Sequence, residues 1–437
     1  MAEDDLNDYE RLRQENIRRN QEKFAPLRRK ADELSAAIRL AKPKRPYQVR
    51  PKVPTGPVRF SGRARGIAPD NLPPDLSSTR LSPSLASSIL GGGASPPEGA
   101  KVRAADDLDA WRDMVLMPTH VRKVVSCSIV SMRVLPLADR TVVVAGDKMG
   151  NIGYWDVDGV SEDADGVDGV FRYWPHKCPV SAIVAHQAAP HKVYSSSHQG
   201  EICLMDFEEE KYSMVHLWEW PVYSLCQAQN SVGCLYFGDE KGGLTLFDER
   251  VGKVLTTWDV HEERINSIDF HPEKPHMLAT SSTDQTACIW DVRNIKRKEP
   301  DSLKVFELNE SAQSAYFSPS GRMLAVTSIC GTVRVFCVDD FEKSHSVEYN
   351  NQNRSWPSAF KVIWGWNDTD LYVGNMSKGI DIISVDVNDS GLSAQNSSYL
   401  RSEHMTTIPS RFSAHPYKVG YLACSSSTSK VFLWTRA

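Results

Sequence analysis

Residues 261–296 read HEERINSIDFHPEKPHMLATSSTDQTACIWDVRNIK, and this stretch decides the fold. Short β-rich runs are punctuated by a strand exit at Phe270-His271-Pro272 and a turn at Thr283-Asp284, and the unit closes on Ile289-Trp290-Asp291-Val292-Arg293. His261, Asp284 and Trp290, with Thr280 or Ser282 between them, can tie the unit together by a buried hydrogen-bond network. These residues read as structural, because such a network is costly when half satisfied. Arg293 is not needed by that network. A guanidinium at the foot of a β-unit is a forked donor suited to a carboxylate or carbonyl.

Working outward, the unit recurs. Strand-like stretches end in a residue placed about five beyond a turn at Trp155, Met205, Phe247, Trp290, Phe336, Ser384 and Trp434. Their spacings are 50, 42, 43, 46, 48 and 50 residues. A period in the forties, with four short strands per unit, is the signature of WD-repeat propeller blades. Turns at Gly146-Asp147, Gly200, Gly238-Asp239, Gly331 and Gly374-Asn375 agree, as do the exits Phe317-Ser318-Pro319 and Phe412 with His415-Pro416. The expected fold is all-β, a seven-bladed WD-repeat propeller over residues 110–437, since ring closure removes open sheet edges.

Before it lie two other regions. Residues 1–42 form an expected helical segment, Leu6 to Lys42 with a break at Pro26, whose thin apolar stripe (Leu6, Tyr9, Leu12, Ile17) is too narrow for a core. Such a stripe fits an exposed arm or a helix that orders on a partner. Residues 43–109 read as a linker, basic to about Arg65 and then rich in Ser, Pro and Gly. The formal charge of −4 is uneven: residues 34–69 hold nine Lys or Arg and no acid, which leaves an acidic body. That asymmetry fits contact with nucleic acid or chromatin, and equally a solvated linker or nuclear-import signal.

The composition also excludes classes. No run of eighteen apolar residues exists, and from the polar, acidic Met1–Glu10 no secretory signal is expected. Nine cysteines without a Cys-x-x-Cys pair read as free core thiols of a reducing compartment. No metal, cofactor, small-molecule substrate or membrane partner is expected. No P-loop, Gly-x-Ser-x-Gly or His-Glu-x-x-His is present, so a non-catalytic protein is expected. The acidic loop Asp156–Asp168 lacks calcium-loop spacing.

Blade topology sorts the exposed residues. Loops entering the first strand share a rim with the turns between second and third strands, and there fall Arg122, Lys123, Lys148, Trp218, Trp220, Lys241, Arg264, Arg354, Trp356 and Lys378. Lys and Arg neutralise phosphates, and Trp can stack on or wedge beside a base. Singly each is an ordinary solvated side chain; as a set they make a candidate DNA-binding face. The polar tip Asn350–Trp356 could be an inserting hairpin or a blade cap. On the opposite rim Arg293 and, one blade earlier, Arg250 make a candidate docking patch. The bland reading pairs them with Asp291 and Asp248, an arrangement of little energetic weight.

Residues 261–296 resemble the matching blade of the smaller damaged-DNA-binding protein subunit. YERLRQENIRRNQ (9–21) and VGNMSKGIDI (373–382) are similar to the WD-repeat-containing protein seventy-six family. The resemblance covers the propeller and the N-terminal helix and is poor across 66–108. It implies a nuclear protein that binds duplex DNA or chromatin in the DNA damage response. It also implies a substrate receptor that docks the triple-propeller adaptor of a cullin–RING ubiquitin ligase, through Trp290, Asp291, Arg293 and the 6–24 helix. Lys148, Arg264 and Trp220 match DNA-facing positions. Asn353–Trp356 does not reproduce the aromatic-polar-His tip that the damage-recognising subunit inserts. The competing expectation is a general interaction scaffold that reads peptides or histone tails without direct DNA binding.

Overall fold

Seven four-stranded antiparallel sheets close into a ring. The computed structural model describes residues 110–159, 169–209, 211–228, 233–297, 300–349, 360–388 and 391–436, together with Ala86 and Ile89. The expected helix at Leu6–Lys42 and the residues Arg354 and Trp356 lie outside the described residues.

Blade 1 runs from strand a (Ile129–Val134) through b (Val142–Asp147) and c (Ile152–Asp156) to d (Val170–Tyr173). Blade 4 repeats the order with Ile265–Phe270, Met277–Ser282, Thr286–Asp291 and Lys304–Glu307. The a strands of successive blades pack on one another around the axis, so a is innermost and d outermost. Ring closure is mixed: Met114–Lys123, first among the described strands, is the outer strand of blade 7, paired with Lys430–Arg436. That pairing joins both ends of the propeller sequence in one sheet and leaves no inner edge open. Pro118, which has no amide hydrogen, sits in this outermost strand, where no ladder bond is lost.

The repeating large residues occupy one register. Trp155, Met205, Phe247, Trp290, Phe336 and Trp434 each face a b-strand residue, as in Leu278↔Trp290, and each is nearly fully buried. Blade 6 corrects the expectation at Ser384: Ile383 faces Leu371 in that register and is fully buried, while Ser384 faces Asp370. Ile383 stands eight residues after the turn residue Asn375, as Trp155 stands eight after Asp147 and Phe247 eight after Asp239, so the same offset holds in blade 6 and the expectation was one residue out of register. Ala86 and Ile89 depart from the linker reading. Both are helical and buried, and Ile89 joins the cluster with Leu135, Val142 and Val180. The polar average of that segment conceals them.

Between the a and b strands, three histidines act as acceptors. His186 Nδ1 takes the amide of Ala188 (3.2 Å), His271 Nδ1 those of Glu273 and Lys274 (3.1 and 2.9 Å), and His415 Nδ1 those of Tyr417 and Lys418 (both 3.1 Å). A protonated ring nitrogen cannot accept. Burial accordingly holds all three below the usual histidine value, with His415 pushed down to about 4. A depressed folded-state value means stability is fully present above about pH 6.5 and drains away as pH falls toward 4. For His415 alone the loss is on the order of 2–3 kcal/mol. Chemical denaturation at pH 7 and pH 4.5 is expected to show a smaller stability difference for His415→Asn than for the native chain; equal differences would contradict this.

Candidate nucleic-acid interface

The b–c turns and d–a loops share one rim, and in blades 1, 3 and 6 the turn is built by an acid or amide at its start, where blades 2, 4, 5 and 7 carry serine. Asp147, fully buried, accepts the amides of Met149 (2.8 Å), Asn151 (3.0 Å) and Cys127 (3.0 Å). Asp239 does the same for Lys241 and Gly243, and Asn375 for Ser377 and Gly379. This leaves Lys148, Lys241 and Lys378 exposed at turn tips, Lys378 with φ of 61°. In blades 1, 2 and 3 the next loop presses on the turn through a glycine, Gly150, Gly200 and Gly242. Gly150 has φ of 91°, and a Cβ there would lie 2.1 Å from the carbonyl oxygen of His176.

In blade 4, His261 Nδ1 lies 2.9 Å from Asp284 Oδ2 and its Nε2 2.7 Å from Thr280 Oγ1, which accepts from Trp290 Nε1 at 2.8 Å. Thr280, not Ser282, is the link; Ser282 Oγ instead donates to the carbonyl of Glu263 and accepts the amide of Asp284. Blade 2 holds a variant that sequence reasoning missed. His176 bridges Ser195 Oγ (2.8 Å) and Glu201 Oε2 (3.1 Å), the carboxylate coming from the strand rather than the turn.

Around the rim the expected cations fall into unlike sectors. Lys123 and Lys148 are exposed and Arg122 half-exposed on blades 7 and 1, and the structure adds Arg172, Lys177 and Lys430, all exposed. Arg172 ties the sector together, donating from Nη2 to the carbonyl of Lys123 (2.7 Å) and from Nε to that of Val124 (3.0 Å). Segments 123–128, 148–151, 174–179, 198–200 and 426–430 contain no Asp or Glu. On the same sector stand two large exposed apolar side chains, Trp174 at 66% and Met149 at 62%. Sequence reasoning missed Trp174, although a Trp-Pro step directly after an outer strand marks the rim.

The blade 3–4 sector is different. Trp218, expected as an exposed contact, is structural: its Nε1 donates to Asp239 (3.0 Å) and its ring packs edge-on against Phe237. Trp220 lies under Lys241, whose Nζ is 5.1 Å from the ring centroid. Arg264 is half-buried, with Nε donating to Asn266 Oδ1 and Thr283 Oγ1 and its guanidinium 4.9 Å over Tyr223. Glu219, Glu240, Glu262 and Glu263 are exposed among them. The six-residue strands between the rims span about 20 Å. Arg264 precedes strand a at one end, and Arg293 follows strand c at the other.

At that other rim Arg293 grips its own neighbour. Its Nε and Nη2 donate to the two oxygens of Asp291 (2.9 and 2.6 Å), and this bidentate bond pulls the carboxyl down to about 2. The side chain remains 61% exposed. Arg250 pairs with Asp248 at 3.8 Å in the same position one blade earlier. Both arginines therefore satisfy the local-pairing alternative. Among the described residues, His191, Asp206 and Glu208 are grouped as a metal site would need, but Asp206 is already bound by Lys192 at 3.0 Å.

The WD domain, G-beta repeat family profile matches residues 252–291, the blade that carries the complete His–Asp–Thr–Trp network. The chain is 24% identical to DNA damage-binding protein cmr1 of Aspergillus terreus over 75% of its own length and 66% of the relative's. It is 25% identical to CMR1 of Phaeosphaeria nodorum, over 75% and 68%. To WD repeat-containing protein 76 of Xenopus laevis it is 27% identical, over 69% and 52%. It thus spans about two thirds of the fungal proteins and about half of the frog protein. The chain is a seven-bladed WD-repeat propeller and a homologue of the proteins named DNA damage-binding protein CMR1 and WD repeat-containing protein 76.

Proposed function

We propose that this propeller is a non-catalytic, nuclear DNA- or chromatin-binding protein of the DNA damage response, which meets duplex DNA on the blade 7–1 sector of its entry rim. The observation that carries this is the acid-free cationic sector with Trp174 and Met149 exposed on it, set on an otherwise acidic chain. Lysines on short turns neutralise phosphates, and an indole beside them can stack on an unpaired base or wedge a step. The names of the relatives agree with a role at damaged DNA. Titration of a 20-base-pair duplex at several salt concentrations tests it. Affinity is expected to fall with salt with a slope matching about four or more phosphate contacts; a salt-independent curve would overturn it. Trp174→Ala is expected to weaken a duplex carrying an unpaired base about tenfold, and a fully paired one less, since stacking on an unpaired base is worth about 1–3 kcal/mol.

The opposite rim serves, in this reading, to dock the triple-propeller adaptor of a cullin–RING ubiquitin ligase, making the chain a substrate receptor. In support, the exposed guanidinium of Arg293 is held in a fixed plane by Asp291, and Arg250 repeats the placement. Arg293→Ala is expected to abolish adaptor co-purification while leaving thermal stability unchanged, because an exposed pair contributes little to the fold. Undiminished recovery of the adaptor would refute docking through Arg293. A second reading has support of its own: Glu219, Glu240, Glu262 and Glu263 give blades 3–4 a surface suited to basic peptides such as histone tails. Protection of these blades by a lysine-rich peptide, with none by DNA, would favour it.

A further inference from the structure

One inner-strand register separates blades 6 and 7 from the rest. Blades 1, 3, 4 and 5 carry Ser131, Ser224, Ser267 and Ser314 there, opposite Gly146, Gly238, Ser281 and Thr327. Blade 2 carries Ala182, opposite Ser196. Blade 7 instead places Arg411 opposite Ser425, and in blade 6 Lys361 stands two residues before Ile363, as Ser314 stands before Tyr316. A hydroxyl is enough for the fold here: Ser267 pairs with Ser281 (2.7 Å) and Ser314 with Thr327 (3.0 Å) inside their own blades. Ser131 Oγ reaches the carbonyl of Val180 (2.8 Å) and Ser224 Oγ that of Ile265 (3.0 Å), each in the next blade. Arg411 Nε makes the equivalent bond to Val130 O at 2.7 Å. Lys361 Nζ reaches across to Asn266 O, 2.8 Å away in blade 4, whose side-chain Oδ1 receives Arg264 Nε. Four blades use serine and one does without a donor, so the two charges exceed what the architecture requires.

Three cations from blades 4, 6 and 7 thereby gather at the entry-side mouth of the central channel. We propose that Arg264, Lys361 and Arg411 form a phosphate-binding site at this mouth, separate from the outer lysine sector. Like charges enclosed together are costly unless an anion joins them. Burial first, and then Arg411 and Arg264, push Lys361 down to about 7, so its charge is only partly kept near neutrality. Among the described residues, the other groups nearby come from blade 4 and from four more blades. On the channel wall stand Arg133 of blade 1, Cys226 of blade 3, Asp269 of blade 4 and Tyr316 of blade 5. Asp269 is the acid among them, and burial raises it to about 7. His198 of blade 2 packs at a tilt against Tyr223 beneath Arg264, and burial and that guanidinium hold it below the usual histidine value, with Glu240 opposing. An anion bound here restores the proton on Lys361, so binding takes up a proton.

Inorganic tripolyphosphate and a 20-base-pair duplex, each titrated calorimetrically into the full chain and its Lys361→Ser, Lys361→Arg and Lys148→Ala variants, test the site and its source of phosphate. Serine is the residue this register tolerates elsewhere, so Lys361→Ser is expected to melt no lower than the native chain. If the ligand is free, tripolyphosphate raises the native melting temperature and binds with proton uptake at pH 7.5. Lys361→Ser then loses at least tenfold in affinity, and Lys148→Ala does not. Lys361→Arg retains binding and loses the proton uptake. If the phosphate belongs to a nucleic-acid backbone, tripolyphosphate does not bind, and Lys361→Ser weakens the duplex at least fivefold. Lys361→Ser indistinguishable from the native chain toward both ligands, or a native chain that binds neither, would overturn the proposal. The outer-sector reading fails separately, on the lysines of blades 7 and 1.

Discussion

Asp284→Ala is expected to cost about 3 kcal/mol and to lower the melting temperature by several degrees. One carboxylate holds blade 4 at four points. Asp284 Oδ2 meets His261 Nδ1 at 2.9 Å and the amide of Glu262 at 3.1 Å, while Oδ1 takes the Thr286 amide and hydroxyl at 2.9 and 2.6 Å. Through His261 the contact continues to Thr280 and Trp290, both buried in the sheet. Removing the acid leaves buried donors unpaired, which costs more than the net value of the bonds lost. The hydrogen bond from His261 is what most strongly draws the Asp284 carboxyl below the usual range, against the opposing effect of burial. Stability supplied by this acid is therefore present above about pH 4 and lost only in stronger acid. Asp284→Asn, which keeps the shape and one acceptor, is expected to lose less. A melting temperature for Asp284→Ala within one degree of the native value would show that the network is ornamental.

The second large effect concerns the rim. Lys123→Glu/Lys148→Glu/Lys177→Glu changes the sector by six charge units without touching a buried group, since all three side chains are exposed. Each lost phosphate contact removes a step of about 0.9 from the salt dependence, so the slope is expected to drop by about three and duplex affinity by at least 100-fold near physiological salt. The same reversal at Lys241 is expected to change little. Its ammonium rests on Trp220, and Glu219 and Glu240 stand nearby on a mixed sector. Equal losses from both sets would mean that the charge of the whole rim matters and not its placement.

Much of the scaffold was legible because the physics of a blade is local. His261, Asp284 and Trp290 announce their network in one short stretch, and the spacing of large residues counts the blades. Ser384 misled by a single residue: the offset that puts Trp155 eight after Asp147 puts Ile383, not Ser384, eight after Asn375. The candidate site was legible only as a list. Sequence order reveals which rim a loop joins, but whether Trp218 points outward or bonds Asp239 depends on the packing of Phe237. Trp174 was hidden for the opposite reason, since an aromatic at a strand end reads as core until tertiary packing leaves it exposed. The gathering of Arg264, Lys361 and Arg411 joins residues nearly 150 positions apart in sequence, and no local pattern carries it.

Hydrogen–deuterium exchange on the full chain, with and without a saturating 30-base-pair duplex, tests the central claim most directly. Protection is expected at 123–128, 148–151 and 174–179, with none at 249–252 or 292–297. Protection confined to those last segments, or none at all under saturating DNA, would contradict the assignment of the blade 7–1 rim to nucleic acid.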